Sequence, residues 1–434
     1  MAQEKKEGNK YKKHPENSFG RYDGTTLTYV TSKSSRNSST YKHWVEQRRS
    51  LLEIVEYLPV WSAACFLSRL MYDIYGMPKN KFNVTSDERG KKALAIISRI
   101  PHYMDKYIIY ESIRHLNLSC ALEQLINNKI NKKQVLFKGL LQAVVARILV
   151  EDWDSKLANF GCYQIDNTAL EVGAFDFEFA LSMMKGDFIK EWTFAEIRDI
   201  ILGGKKGNVA NALLETIFPL GTRTTDYYYN MNKEYYNTQQ GVNSQQRGID
   251  FLTPSLLYEL SNIDPNNHSM ALIKLFRDTI KKLRENEEKA REKTKKDTAP
   301  KVIEVMKTCS GDAYNNIKII LSDEGCKKTF LGILELNDEE VNSILNTNYI
   351  DIPQKLAELA ERAIDNASKR LLQSLEKFEK YLDTIEKEIL AKQGQQRHGN
   401  INCYNPHKPP LGSFAHMVAA ESKSEVVARG VGKS

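Results

Sequence analysis

The sequence predicts an α+β chain, in which a mixed half of strands and helices is followed, from Pro254 on, by an all-α module. Three observations carry that prediction. β-Branched and aromatic runs separated by turn residues are confined to the chain before about Asp176. After Pro254 nearly every segment has apolar residues at intervals of three and four. The 434 residues, 41% hydrophobic and 27% charged, suffice for two or three cores of ordinary domain size.

Residues 1–24 are charged and contain Gly, Asn and Ser, and they read as a disordered basic tail. Thr25 to Thr31 (TTLTYVT) predicts a strand and Ser32 to Thr40 a polar loop. Helical spacing over 44–57 and 61–75 predicts two helices divided at Pro59, the second closed by Gly76-Met77-Pro78. Lys81 to Thr85 and Ala93 to Ile100 predict strands on either side of the turn Asp87-Glu88-Arg89-Gly90. Helical intervals return over 107–126 and 135–150. The second run is apolar nearly all round, apart from Lys138, Gln142 and Arg147, as expected of a helix buried against others.

Gly161 to Ile165 predicts a strand, Asp166-Asn167 a turn, and the run through Asp176 a second strand. Residues 188–217 read as helical, interrupted by Gly203-Gly204-Lys205-Lys206-Gly207. Thr222 to Arg247, with five tyrosines and no period, reads as a long loop. Helices are expected over 254–296, 300–321, 338–346 and 352–390, the last stepping by threes and fours from Leu356 to Ile389. Residues 394–434, with Pro406, Pro409 and Pro410, read as a second disordered tail.

The formal charge of +7 belongs to the ends: residues 1–50 carry +6 and residues 395–434 carry +3, leaving −2 for the 344 residues between. A near-neutral middle argues against a nucleic-acid groove, and no nucleic-acid partner is expected. Six cysteines with no CxxC pair and no His at zinc spacing disfavour a metal ribbon and a disulfide framework, and fit a reducing compartment. No run of eighteen apolar residues occurs, and Met1 to Lys13 lacks the apolar segment of a signal peptide, so no transmembrane segment is expected.

The segment richest in chemical promise is Val150-Glu-Asp-Trp-Asp-Ser-Lys-Leu-Ala-Asn-Phe-Gly161, followed by Gly173-Ala-Phe-Asp-Phe-Glu-Phe-Ala180. Asp154 stands five residues before Asn159, and Asp176 stands seventeen after it. In phosphoryl transfer from ATP, one carboxylate orients the attacking hydroxyl, while an amide oxygen and a second carboxylate hold Mg²⁺ against the phosphates. A five-residue step in a tight loop lets Asp154 and Asn159 face one site, and the flanking Phe175 and Phe177 anchor Asp176 to a rigid strand.

With Trp61 to Gly76 and Lys91 to Pro101, this segment resembles the atypical kinase-fold effectors that intracellular bacteria inject into host cells. Several of these are phosphoinositide kinases, distantly similar to eukaryotic phosphatidylinositol 3- and 4-kinases and to HipA-type kinases. The resemblance covers roughly residues 25–220. It implies an atypical two-lobed protein/lipid-kinase-like core, with an N-lobe over 25–106 and a C-lobe over 107–250, before an all-α helical module over 251–393. It implies that Asp154 is the catalytic Asp, Asn159 the metal-binding Asn and Asp176 the metal-binding Asp of a DFG-like element, with ATP and Mg²⁺ as cofactors. The chain departs from the family at Ser155 to Ala158, where phosphoinositide kinases often carry a His, and at Glu178, which stands where a DFG motif has Gly.

Lys156, inside the loop, is the expected neutraliser of the transferring phosphate. Lys33 is the expected ATP-phosphate lysine, with Lys42 as its rival, and Arg99 is a further nucleotide contact at the end of the strand leading to the hinge. Lys205 and Lys206 would read an anionic inositol headgroup. For each of these cations a solvated or structurally paired residue is the simpler alternative.

The expectation is therefore a phosphoinositide kinase, secreted into the host cytoplasm and peripheral at host membranes, whose basic tails favour an anionic surface. Two alternatives stand beside it. One is a protein kinase acting on host proteins or itself; the other is a catalytically inactive kinase-fold scaffold that binds a host protein through the C-terminal helices.

Overall fold

A computed structural model describes residues 11–13, 26–31, 41–48, 51–77, 79–86, 92–103, 118, 122, 136–152, 155, 157–166, 169–174, 177–183, 191–217 and 239–401. The chain divides into two units, Met1–Ile385 and Glu386–Ser434, and the second is helical as far as Ile401. The first unit is α+β.

Five strands, β1 (Tyr11–Lys13), β2 (Thr26–Thr31), β3 (Tyr41–Arg48), β4 (Lys79–Ser86) and β5 (Lys92–Tyr103), form an antiparallel sheet in the order β1-β2-β3-β5-β4. Helix α1 (Leu51–Tyr75) leaves the sheet after β3 and returns the chain at the far edge, so β5 fills the gap between β3 and β4. Strand β1 lies inside the segment read as a tail, pairing Tyr11 with Val30.

The helix expected over 44–57 is corrected: 41–48 is strand β3, which pairs along both edges, with Trp44 opposite Val30 on one side and Arg99 on the other. Two ladders of hydrogen bonds override a helix-like spacing that Trp44 and Val45 share with Leu51 and Leu52. The expected break at Pro59 is also absent, since α1 runs through it. A proline inside a helix costs about 3 kcal/mol, and burial of single apolar side chains contributes about 1.5–3 kcal/mol each. Val55, Leu58, Phe66, Leu67 and Leu70 are all fully buried, which offsets that cost. By length and composition α1 could cross a membrane, yet 72% of its apolar window is buried inside the protein, against β4 and the helices described below.

A second, three-stranded sheet has the order β6-β8-β7, from β6 (Leu136–Lys138), β7 (Phe160–Asp166) and β8 (Ala169–Ala174). Strands β7 and β8 form the expected hairpin, except that β8 ends at Ala174, short of Asp176, and β6 runs parallel to β8. The buried helix of this region, α2, spans Leu140–Leu149 and is shorter than the expected 135–150. Gly139 separates it from β6: its φ is 79°, and a Cβ there would stand 2.9 Å from the Val172 carbonyl oxygen. The start of α2 has no cap of its own. Instead the Glu259 carboxylate accepts from the Gly139 and Leu141 N–H groups at 2.7 and 3.0 Å.

The remaining helices are α3 (Phe194–Ile201), α4 (Val209–Glu215), α5 (Gln239–Ile263), α6 (His268–Met306), α7 (Ser310–Ser322), α8 (Glu324–Gly332), α9 (Asp338–Leu345) and α10 (Ile352–Ile401). Of the expected Tyr-rich loop, the described part from Gln239 is helix α5. Helix α6 packs along α1, β4, β5 and α2, while α7 and α8 cover the rest of α1. The apolar stripe of α10 from Leu356 to Ile385 is buried as its spacing predicts. The helix expected over 107–126 lies outside the described residues apart from Leu118 and Leu122, both buried in the core.

Burial raises the Glu259 carboxyl to about 6, against the downward pull of the two N–H groups it caps. A carboxyl raised in the folded state contributes its stability below the unfolded value and loses it as pH rises through the folded one. Unfolding titrations of the parent chain and Glu259→Gln should therefore diverge between pH 4.5 and about 6, the parent losing up to about 2 kcal/mol relative to the variant. Parallel pH profiles would contradict this assignment.

Candidate active site

Helix α2 delivers the chain to the loop that holds the predicted catalytic residues, and Arg147, on its last turn, organises that loop. The guanidinium is completely buried and ion-pairs with Asp152, also completely buried. Its Nε donates to Ser155 Oγ at 3.3 Å, and Nη1 donates to the Asn159 carbonyl oxygen at 2.9 Å. The rings of Phe160 and Phe177 lie on it with centroids 5.3 Å away. Ser155 Oγ in turn donates to the Asp152 carbonyl oxygen at 2.7 Å.

The chemistry of arginine explains the arrangement. A guanidinium cannot lose its proton in a protein, so once buried it must gather acceptors and π-faces around it. Here it gathers the residues on both sides of the loop. Asp152 and Ser155 bracket Asp154, Asn159 is held by its own carbonyl, and Phe177 directly follows Asp176. The β7–β8 register, Phe160 opposite Ala174, puts the start of β7, next to Asn159, and the end of β8 at the same end of the hairpin.

Asp154, Lys156 and Asp176 themselves lie outside the described residues, as does Lys33. Asn159 closes a 3₁₀ turn, Leu157–Asn159, and is buried. Arg99 lies on β5 opposite Trp44 and Lys79. Lys42 lies on β3, at the irregularity in its pairing with β5. Among the described residues no group of three His, Cys, Asp or Glu side chains is placed to hold a metal.

The Gly/Lys loop forms a tight turn between α3 and α4, with Gly203, Gly204 and Gly207 at positive φ. Packing demands a glycine at Gly203, where a Cβ would meet Asn208 N at 2.6 Å. The amides of Gly207 and Asn208 are taken by the carbonyls of Gly204 and Gly203. Lys205 is exposed, and the Lys206 side chain lies outside the description.

The sequence singles out the loop, and it marks Arg147 only as an exception in an apolar run and gives Asp152 no role. Arg147 stood out as one cation in an otherwise apolar helix, which was the signal that could have found it. No protein-family model, curated protein or solved structure matches the chain.

Removing one partner of a buried ion pair strands the other charge at a cost of about 3–5 kcal/mol. Arg147→Met should lower the unfolding free energy measured by urea titration by that much, and adding Asp152→Leu should recover most of the loss. A double variant no better than the single would show that Arg147 acts through its other contacts.

Proposed function

We propose that the chain is a Mg²⁺-ATP-dependent phosphotransferase, acting most specifically as a phosphoinositide kinase at a host membrane. The observation that carries this reading is the single guanidinium of Arg147, which ties together the neighbours of Asp154, Asn159 itself and the neighbour of Asp176. Phosphoryl transfer needs little covalent chemistry from the protein and depends on holding such groups in place.

In this reading Asp154 orients the attacking hydroxyl, and Lys156 faces the phosphate charge. Asn159 and Asp176 supply the hard oxygen donors that Mg²⁺ takes, and the ion would offset the charge of the ATP phosphates. The first sheet supports the nucleotide side of the proposal. In protein kinases the phosphate lysine stands on the third strand and pairs with a glutamate of the helix that follows. Here Lys42 stands on β3 and α1 follows it directly, which favours Lys42 over Lys33.

The substrate assignment rests on the sequence resemblance, in which the exposed Lys205 would meet an anionic headgroup. The full chain incubated with labelled ATP, Mg²⁺ and vesicles carrying each phosphoinositide should transfer phosphate to lipid. Asp154→Ala should reduce that transfer by about 10²–10⁴-fold. Label on protein alone would make the chain a protein kinase. No transfer, with no thermal shift in Mg²⁺-ATP, would make it an inactive scaffold.

A further inference from the structure

Glycine apart, three described residues have a left-handed backbone: Glu151 (φ 50°), Leu181 (φ 50°) and Glu335 (φ 53°). That conformation costs an L residue about 1–2 kcal/mol, so the surroundings must hold each one in place. One helix reaches all three. Arg370 of α10 donates to the Leu181 carbonyl oxygen at 3.2 Å and ion-pairs with Glu335 at 2.8 Å. Lys377 ion-pairs with Glu151 and, at 3.1 Å, with Glu191. Between them the buried Ser374 donates to the carbonyl oxygen of Leu149, the last residue of α2, at 2.9 Å. Arg370, Ser374 and Lys377 recur at i, i+4 and i+7 and share one face of α10.

Glu151 stands three residues before Asp154, and Leu181 stands five after Asp176. The two are also joined directly, because the Leu181 N–H donates to the Val150 carbonyl oxygen at 2.9 Å. We infer that α10 is a positioning element for the phosphotransfer site: Arg370 and Lys377 hold the left-handed residues Leu181 and Glu151, and Ser374 holds the end of α2, where the chain enters the segment with Asp154 and leaves the segment with Asp176. This rests on the phosphotransfer reading. None of the three side chains is assigned a contact with nucleotide or metal: Arg370 and Ser374 act through the main-chain carbonyls they bond, and Lys377 through the Glu151 carboxylate.

Arg370 also bonds the Gly332 carbonyl, which makes Lys377 and Ser374 the cleaner probes. In the full chain, Lys377→Met and Ser374→Ala should each lower kcat for ATP turnover by about 10–100-fold, with KM for ATP changed by less than about threefold. Lys377→Arg should stay within about threefold of the parent. Backbone amide exchange at Glu151, Asp152 and Leu181 should quicken in Lys377→Met, while the β7–β8 hairpin keeps its protection. Parent-like kcat in both variants, or an arginine variant as impaired as the methionine one, would overturn the inference. A parent chain without turnover overturns the phosphotransfer reading and the functional half of this one. The exchange measurement then decides the physical half alone, with unchanged protection at Glu151 and Leu181 counting against it.

Discussion

The candidate loop depends on one constraint, the burial of the Arg147 guanidinium at the end of an apolar helix. Taking a guanidinium out of water costs several kcal/mol even after relaxation, and the partners must restore nearly all of it. A carboxylate, a hydroxyl, a backbone carbonyl and two aromatic rings do so here. No single partner would suffice, and the set can be assembled in few ways. The pair adds little net stability by itself, because burial offsets most of its attraction. Its contribution is to specify one path for the chain between α2 and β7, with the hairpin register fixing where that path ends.

A second layer of constraint comes from the helices that follow. Helix α6 lies along α1, β4 and β5 and also along α2, so one rigid element touches both sheet-bearing parts of the first unit. Polar ties reinforce the apolar contact: Arg69 pairs with Asp297 at 2.6 Å, and the Tyr75 hydroxyl donates to Thr279 Oγ1 at 2.8 Å. Enclosure also accounts for the composition of α1. A helix covered on all sides loses its polar stripe, and by length and hydropathy it then becomes indistinguishable from a membrane span.

What the sequence made legible follows from how local each signal is. The β7–β8 hairpin and the stripe of α10 were readable because alternation and three-four spacing report burial within a single element. Strand β3 was misread because its identity depends on β2 and β5, which lie at other points of the chain. Pro59 was read as a break because the burial that offsets it is tertiary. Gly139 could have marked the start of α2, yet the atom that demands a glycine, the Val172 oxygen, is on another strand. Asp154, Asn159 and Asp176 are candidates from their spacing and from the strand and loop signals around them. Arg147 was noted and set aside, since one cation in an apolar helix has no period to announce it.

The contacts between α10 and the loop are the least legible of all, and their distance along the chain has a physical consequence. Lys377 and Glu151 are 226 residues apart, as Ser374 and Leu149 are 225. Closing a loop of that length costs entropy that local contacts must cover before the long-range ones form. During synthesis the N-terminal elements emerge first. Helix α2, the hairpin and the Arg147–Asp152 pair can then assemble while Glu151 and Leu181 still lack their clamps. Left-handed residues without such support relax toward the ordinary regions of φ. The loop geometry seen here therefore belongs to the completed chain, and an isolated fragment ending before α10 would be expected to keep the ion pair while losing the strained flanks.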